Sequence, residues 1–244
     1  MNRFWIEPDW PAPPGVRAAS TLRRGGVSTG LYRSLNLGAH VGDDPRRVKE
    51  NRRLLRAALN LPAEPVWLNQ VHGNKVIQAD LSSERNADAA FTCRPGVVCA
   101  VMTADCLPVL LCSKEGDRVA AVHAGWKGLA AGVIEAAVES FKGADLLAWL
   151  GPAIGPDAFE VGEEVRDTFV RKKSGFAAAF RETENMKWLA DLYHLARIAL
   201  NDAGVSAVFG GGFCTFSNAA DFFSYRRDRI TGRMATLIWR EKYK

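Results

Sequence analysis

Residues 97–123 read VVCAVMTADCLPVLLCSKEGDRVAAVH, and the spacing of the apolar runs in this stretch decides the fold. Val97–Thr103, Leu107–Cys112 and Arg118–His123 are nearly continuous in valine, leucine, alanine and cysteine. Runs of that length and composition predict strands covered on both faces. Glu115-Gly116-Asp117 supplies the turn between the second and the third.

Upstream, Asp44-Pro45 reads as a helix N-cap followed by proline at the first helical position. Val48, Leu55 and Leu59 then mark the buried face of a helix ending near Leu59. Val66–Val71 and Lys75–Ala79 read as two strands hairpinned around His72-Gly73-Asn74. Downstream, small and apolar residues at helical spacing predict one helix from Trp126 to Phe141, stopped by Gly143. Leu146–Leu150 reads as another buried strand and Met234–Arg240 as a closing one. Amphipathic helices are expected near Glu163–Arg171 and Leu189–Ala203. Strand and helix signals interleave without repeat or linker, so a single α+β domain over residues 1–244 is expected, with buried sheets flanked by helices.

The 244 residues can bury a substantial core, and 48% hydrophobic with 24% charged residues is ordinary for a soluble globular chain. No apolar stretch reaches the roughly 18 residues of a bilayer span. Met1–Pro14 is acidic, aromatic and proline-rich, unlike a secretory leader. Five cysteines, irregularly spaced, point to a reducing compartment, and the cytoplasm is expected. Much of the net charge of +5 comes from Arg46, Arg47, Lys49, Arg52, Arg53 and Arg56, which read as a solvated helix face. No nucleic-acid-binding signature accompanies them, so neither nucleic acid nor membrane is expected as a partner.

The chain has four histidines. His72 lies in Asn69-Gln70-Val71-His72-Gly73, at a turn after an expected strand. His123 ends an apolar strand and enters Ala124-Gly125-Trp126-Lys127-Gly128, where glycines allow close backbone approach. Cys106, in Thr103-Ala104-Asp105-Cys106-Leu107-Pro108, marks a break between two buried strands. Strand ends are where a rigid scaffold positions functional groups. Taken singly, a cysteine there is usually a small core residue and a histidine a hydrogen-bonded structural one. Cys93, Cys99, Cys112 and Cys214 read as core, His194 as structural, and His40 as undecided.

The three motifs around His72, Cys106 and His123 resemble the core motifs of the YfiH family, the laccase-domain proteins that include mammalian FAMIN. The similarity continues in Arg24-Gly25-Gly26-Val27-Ser28, Ser34-Leu35-Asn36-Leu37-Gly38, Gly151-Pro152-Ala153-Ile154-Gly155 and Phe223-Ser224-Tyr225-Arg226-Arg227-Asp228. The resemblance implies a sandwich-like β core with helices outside. It also implies one zinc per chain held by His72, Cys106 and His123. Two imidazoles and a thiolate leave zinc's fourth position open, which is the catalytic pattern. Copper is possible there but not favoured, because a multicopper oxidase needs a histidine-rich cluster that four histidines cannot furnish.

The resemblance further implies phosphorolysis of adenosine, inosine, guanosine or methylthioadenosine, and hydrolytic deamination of adenosine. The usual zinc nucleobase-deaminase signature is absent, so a deaminase here would use a different proton carrier. Asp105 is one candidate, a helix cap or structural hydrogen bond being the other reading of it, with Cys106 at the reacting centre. Arg24 and Ser28, with Arg226 and Lys127, are candidates for phosphate or substrate binding, and Asn36 for a sugar or purine edge. The same open zinc site would serve an amidase acting on peptidoglycan precursors. A non-catalytic zinc or interaction protein would need a fourth protein ligand.

Overall fold

Each of the three central apolar runs contains a strand with every residue buried, because each strand has a packed layer on both sides. The computed structural model describes residues 4–241. In chain order the strands are β1 (Trp5–Ile6), β2 (Val16–Thr21), β3 (Val76–Gln78), β4 (Ala89–Thr92), β5 (Val98–Thr103), β6 (Leu107–Ser113), β7 (Val119–Ala124), β8 (Leu146–Leu150), β9 (Glu160–Val161), β10 (Phe180–Glu182), β11 (Trp188–Ala190), β12 (Ala207–Gly210) and β13 (Met234–Arg240). The α-helices are α1 (Pro45–Ala58), α2 (Trp126–Ala131), α3 (Val133–Glu139), α4 (Glu163–Lys172), α5 (Leu192–Asp202) and the single turn α6 (Tyr225–Asp228).

Two sheets form the frame, ordered β1-β2-β13-β5 and β12-β8-β6-β7-β4-β3, with a small β10-β11-β9 sheet beside them. Side chains alternate across the larger sheet, as the pleat requires. Leu110, Cys112, Val119, Ala121, Leu147 and Trp149 face the first sheet and meet Cys99, Val101 and Ile238. Val109, Leu111, Ala120, Val122, Ala148 and Leu150 point the other way, onto Leu129, Ile134, Ala137 and Leu195 of the helices. On the far side of the first sheet, Val98, Ala100, Leu237 and Trp239 pack under Leu35, Leu37 and Leu55 of α1 and its preceding loop. The molecule is thus a two-sheet sandwich with helices outside, the α+β domain expected.

Asp44 caps α1 through its side chain, which accepts the Arg46 N–H, and Pro45 opens the helix. Leu59 falls one residue beyond the helix. Arg52 departs from the solvated face expected of the basic run. It donates two hydrogen bonds to the Leu37 carbonyl and lies 4.1 Å over the Trp67 ring.

Three boundaries differ from the sequence reading. The hairpin around His72 is absent: β3 pairs in parallel with β4, while the 66–71 segment makes isolated bridges from Val66 to Cys99 and from Asn69 to Asn86. The turn's amides are spent on a side chain instead. The helix expected over Trp126–Phe141 breaks at Gly132, whose φ of 88° ends α2 and redirects the chain into α3. Leu189 and Ala190 belong to β11, and α5 starts only after Asp191, whose carboxylate caps the His194 N–H.

Candidate active site

Strand register brings the three candidate ligands together. β6 and β7 are antiparallel with Leu107 opposite Ala124 and Pro108 opposite His123, so Cys106, one residue before β6, lies beside the end of β7. β4 flanks the other edge of β7 with Ala89 opposite Val122, which sets Asp88 against His123.

Asp88 is fully buried and does two things. Its Oδ1 meets His123 Nδ1 at 2.8 Å. Its carboxylate also accepts the backbone N–H groups of Val71, His72 and Gly73 at 3.3, 2.9 and 2.7 Å. Those amides hold His72 in a left-handed conformation, φ 61°, that a residue with a Cβ rarely takes unaided. One carboxylate therefore fixes the His123 ring and the backbone that carries His72. Burial would raise its pKa, but the His123 hydrogen bond and the loop amides outweigh burial and hold it below the ordinary value.

The donor atoms of His72, Cys106 and His123 lie within 4.8 Å of one another. Cys106 Sγ stands 3.9 Å from His72 Nε2, and the two imidazoles meet edge to face with centroids 4.8 Å apart. With Nδ1 given to Asp88, His123 keeps Nε2 for the trio. A tetrahedral ion would hold such a nitrogen and sulfur about 3.5 Å apart, so closing on one needs only a small side-chain movement. Gly125 keeps the space open: a Cβ there would stand 2.9 Å from Cys106 Sγ and 3.3 Å from the His72 ring. The donor set and its spread fit one borderline-soft ion.

The trio also polarises itself. Burial pushes the Cys106 thiol up, but the charges and hydrogen bonds of His123 and His72 prevail and bring it down to about 6. Burial lowers His123, but Cys106 and Asp88 prevail and raise it to about 9. Metal-free protein should therefore be alkylated by iodoacetamide at Cys106 with a rate that holds above pH 6 and falls below it, since the thiolate is the nucleophile. Adding the metal should suppress the reaction. A profile centred at the ordinary thiol pKa would refute this pairing.

A cleft of about 500 Å³ opens over the trio. Its walls include Val71, Trp126, Phe159 and Tyr225, its positive charges come from Lys127, Arg226 and Arg233, and the exposed His40 stands at its rim. Of the residues expected from sequence, the structure brings Lys127, Arg226 and Asp105 into this cleft. It does not bring Arg24, Ser28 or Asn36. Arg24 lies half-exposed on the surface, 3.1 Å from Asp221. Ser28 and Asn36 are buried and donate to Asp43 at 2.6 and 3.0 Å. Asn51 of α1 donates to both, which pins the loop to the helix.

Of the two readings of Asp105, the geometry matches the structural hydrogen bond. Thr215 Oγ1 and the Arg226 N–H each donate to its carboxylate at 2.6 Å. With a φ of 91°, it clamps α6 to the turn that carries Cys106. Its oxygens are committed, which suits a clamp better than a proton carrier. Cys99 and Cys112 are core as expected. Cys93 and Cys214 are partly exposed, and accept from Arg118 Nε and the Gly155 N–H. Sequence reasoning missed Asp88, whose one local signal is an acid set between Ala87 and Ala89. It also missed Arg233 and Phe159, neither of which carries a local signal, and the Tyr225 ring, which lies in the 223–228 motif beside Arg226.

Residues 17–241 match the family model described as multi-copper polyphenol oxidoreductase laccase. Purine nucleoside phosphorylase PA4543 of Pseudomonas aeruginosa is 58% identical over 238 residues, covering 96% of this chain and 98% of that protein. Purine nucleoside phosphorylase YfiH of Escherichia coli is 55% identical over the same length, with coverage of 96% and 98%. Among solved structures, Neisseria meningitidis protein NMB0706 superposes with a TM-score of 0.94 at 48% identity, covering 98% of this chain and all of that one. YlmD of Geobacillus stearothermophilus superposes at 0.91 with 34% identity, covering 99% and 98%. Sequence, fold and the His-Cys-His arrangement agree, and the chain belongs to the YfiH family of laccase-domain proteins.

Proposed function

We propose that this chain is a zinc-dependent purine nucleoside phosphorylase acting on adenosine, inosine, guanosine and methylthioadenosine, with hydrolytic deamination of adenosine as a second activity of the same cleft. The observation that carries the reading is the meeting, in one cleft, of the His72–Cys106–His123 trio, aromatic walls and a cationic rim. The names of the Pseudomonas and Escherichia relatives support it.

Trp126 and Tyr225 give the cleft aromatic walls suited to a purine, with Phe159 behind the Arg226 guanidinium. Lys127, Arg226 and Arg233 favour an anionic co-substrate. His72, Cys106 and His123 would hold one zinc, leaving a coordination position for a small ligand. When bound, the zinc supplies a Lewis acid beside the reacting bond. Asp88 keeps the His123 proton on Nδ1 and the Nε2 lone pair turned to the trio. Asp105 holds Arg226 at the cleft's edge through the backbone N–H, while Arg226 Nη1 donates to the Glu160 carbonyl at 2.8 Å. Among the described residues one His/Cys/acid trio is found, so the family model's multi-copper description lacks the ligands for a copper cluster.

Metal analysis of the purified protein should give about one zinc per chain. Chromatography of incubated adenosine should show adenine only when phosphate is present, and inosine whether or not it is. Untouched nucleosides, or adenine released without phosphate, would sink the reading.

A further inference from the structure

The cleft holds more positive charge than its own acids balance. Lys127, Arg226 and Arg233 line it, with the His40 imidazole at its rim, and Asp105 is the one carboxylate among the lining residues. Both Asp105 oxygens are already engaged, one by Thr215 and one by the Arg226 N–H. Arg233 is half-buried, near enough to Cys106 and Asp105 to feel both. Among the described residues no carboxylate pairs with it. A half-buried guanidinium without a counter-ion is costly unless a ligand supplies one.

Arg233 is also held as a binding group is held. Its Nη1 donates to the Thr231 and Gly232 carbonyls, both at 3.0 Å. Its backbone N–H donates to Asn36 Oδ1 at 2.9 Å, and its carbonyl accepts the Leu37 N–H at 3.1 Å. Its stem lies against Gly38, where a Cβ would stand 2.8 Å from Arg233 Cγ. With Nη1 turned to the two carbonyls, the Nε–Nη2 edge remains, the planar fork that grips two oxygens of an oxyanion. His40 follows Gly38 by two residues, in a turn that Arg52 pins by donating twice to the Leu37 carbonyl. Burial, then Arg233, then Arg52 hold the His40 imidazole below its ordinary pKa, the mark of a site that an anion would relieve.

We propose that Arg233, with His40 as a second donor, is the subsite for the phosphate co-substrate. The proposal rests on the phosphorylase reading above and gives it an address that the Arg24–Ser28 segment does not occupy. Hydrogen phosphate held there forms a bond from one oxygen to C1′ of the ribose as the C1′–N9 bond breaks. The glycosidic electron pair leaves with the purine, which takes the proton of the hydrogen phosphate, and ribose 1-phosphate remains. Asn36 acts through Arg233, by fixing its backbone, rather than by touching substrate.

The test is calorimetric titration of the zinc-loaded protein with inorganic phosphate, alongside steady-state kinetics with phosphate and inosine varied separately. Arg233→Met should weaken phosphate binding by about 10–100-fold and raise the KM for phosphate in step, leaving the KM for inosine near the wild-type value. His40→Gln, an exposed change that leaves the fold intact, should weaken phosphate by a smaller factor in the same direction. Arg24→Met, outside the cleft, should change neither. If Arg233→Met fails to fold, His40→Gln decides. Folded variants that bind phosphate as the wild type does would overturn the subsite while leaving phosphate-dependent cleavage standing. So would a wild-type protein that does not take up phosphate. Phosphate binding that depends on Arg233, beside nucleoside cleavage indifferent to phosphate, would uphold the subsite and remove the phosphorylase reading.

Discussion

Replacing Cys106 with alanine should strip the protein of its metal and lower turnover by about a thousandfold or more, with the fold intact. Lewis-acid stabilisation by a bound ion contributes several kcal/mol to a transition state, and each 1.36 kcal/mol is about tenfold in rate. Without the thiolate, two imidazoles make a much weaker site. The fold should survive because Cys106 is partly exposed and lies outside the four hydrophobic clusters. Metal analysis, a circular-dichroism melt and the phosphorolysis assay on one preparation check all three statements. Full metal content in the variant would show that the thiolate is not a ligand.

Asp88→Ala should be the most damaging single change away from the ligands themselves. It leaves the N–H groups of Val71, His72 and Gly73 and the Nδ1 of His123 without their acceptor, inside a fully buried site. A buried donor left unpaired costs about 1–3 kcal/mol, so several together approach the whole stability of a domain, about 5–15 kcal/mol. A large fall in melting temperature, or failure to accumulate as soluble protein, is expected. Asp88→Asn keeps one acceptor oxygen and should fold, but with metal affinity reduced about 10–100-fold. The acid limb separates it from the wild type. Because the folded Asp88 carboxyl lies below its ordinary pKa, its stabilisation is complete above about pH 4 and is lost as pH falls through the folded value. The asparagine variant should lack that component. An Asp88→Ala protein that melts like the wild type and keeps its zinc would refute the role given to this carboxylate.

How much of this was legible in the sequence follows from the range of the forces involved. β5, β6 and β7 were readable because burial on both faces writes itself as an unbroken apolar run. The α1 start was readable because a cap and a proline act within one turn. The 66–71 segment has a strand's composition, yet its partners are scattered over Val98, Arg85, Met102 and Asp88, and periodicity cannot report that. Gly132 carries no break signal of its own, since one glycine in a small-residue run looks tolerable until its φ is known. His72, Cys106 and His123 stood out through the motifs that surround them. Asp88 did not, because its partners lie 16 and 35 residues away in the sequence. Arg24, Ser28 and Asn36 have the chemistry of ligand-binding residues, yet Asp221, Asp43 and Asn51 absorb it. Side-chain type names what a residue can do, while the neighbours decide whether that capacity is still free.

Cys106 sits where the chain leaves the four-stranded sheet at the end of β5 and enters the six-stranded sheet at β6, and His123 closes the adjacent strand. The bite of the trio is therefore a gauge of how the two sheets sit on each other. A substitution at Leu110 or Ile238 that let one sheet slip on the other would misplace the thiol without touching any ligand. Mutational drift in the sandwich interior is then read out at the metal, and core and ligands form one unit for selection.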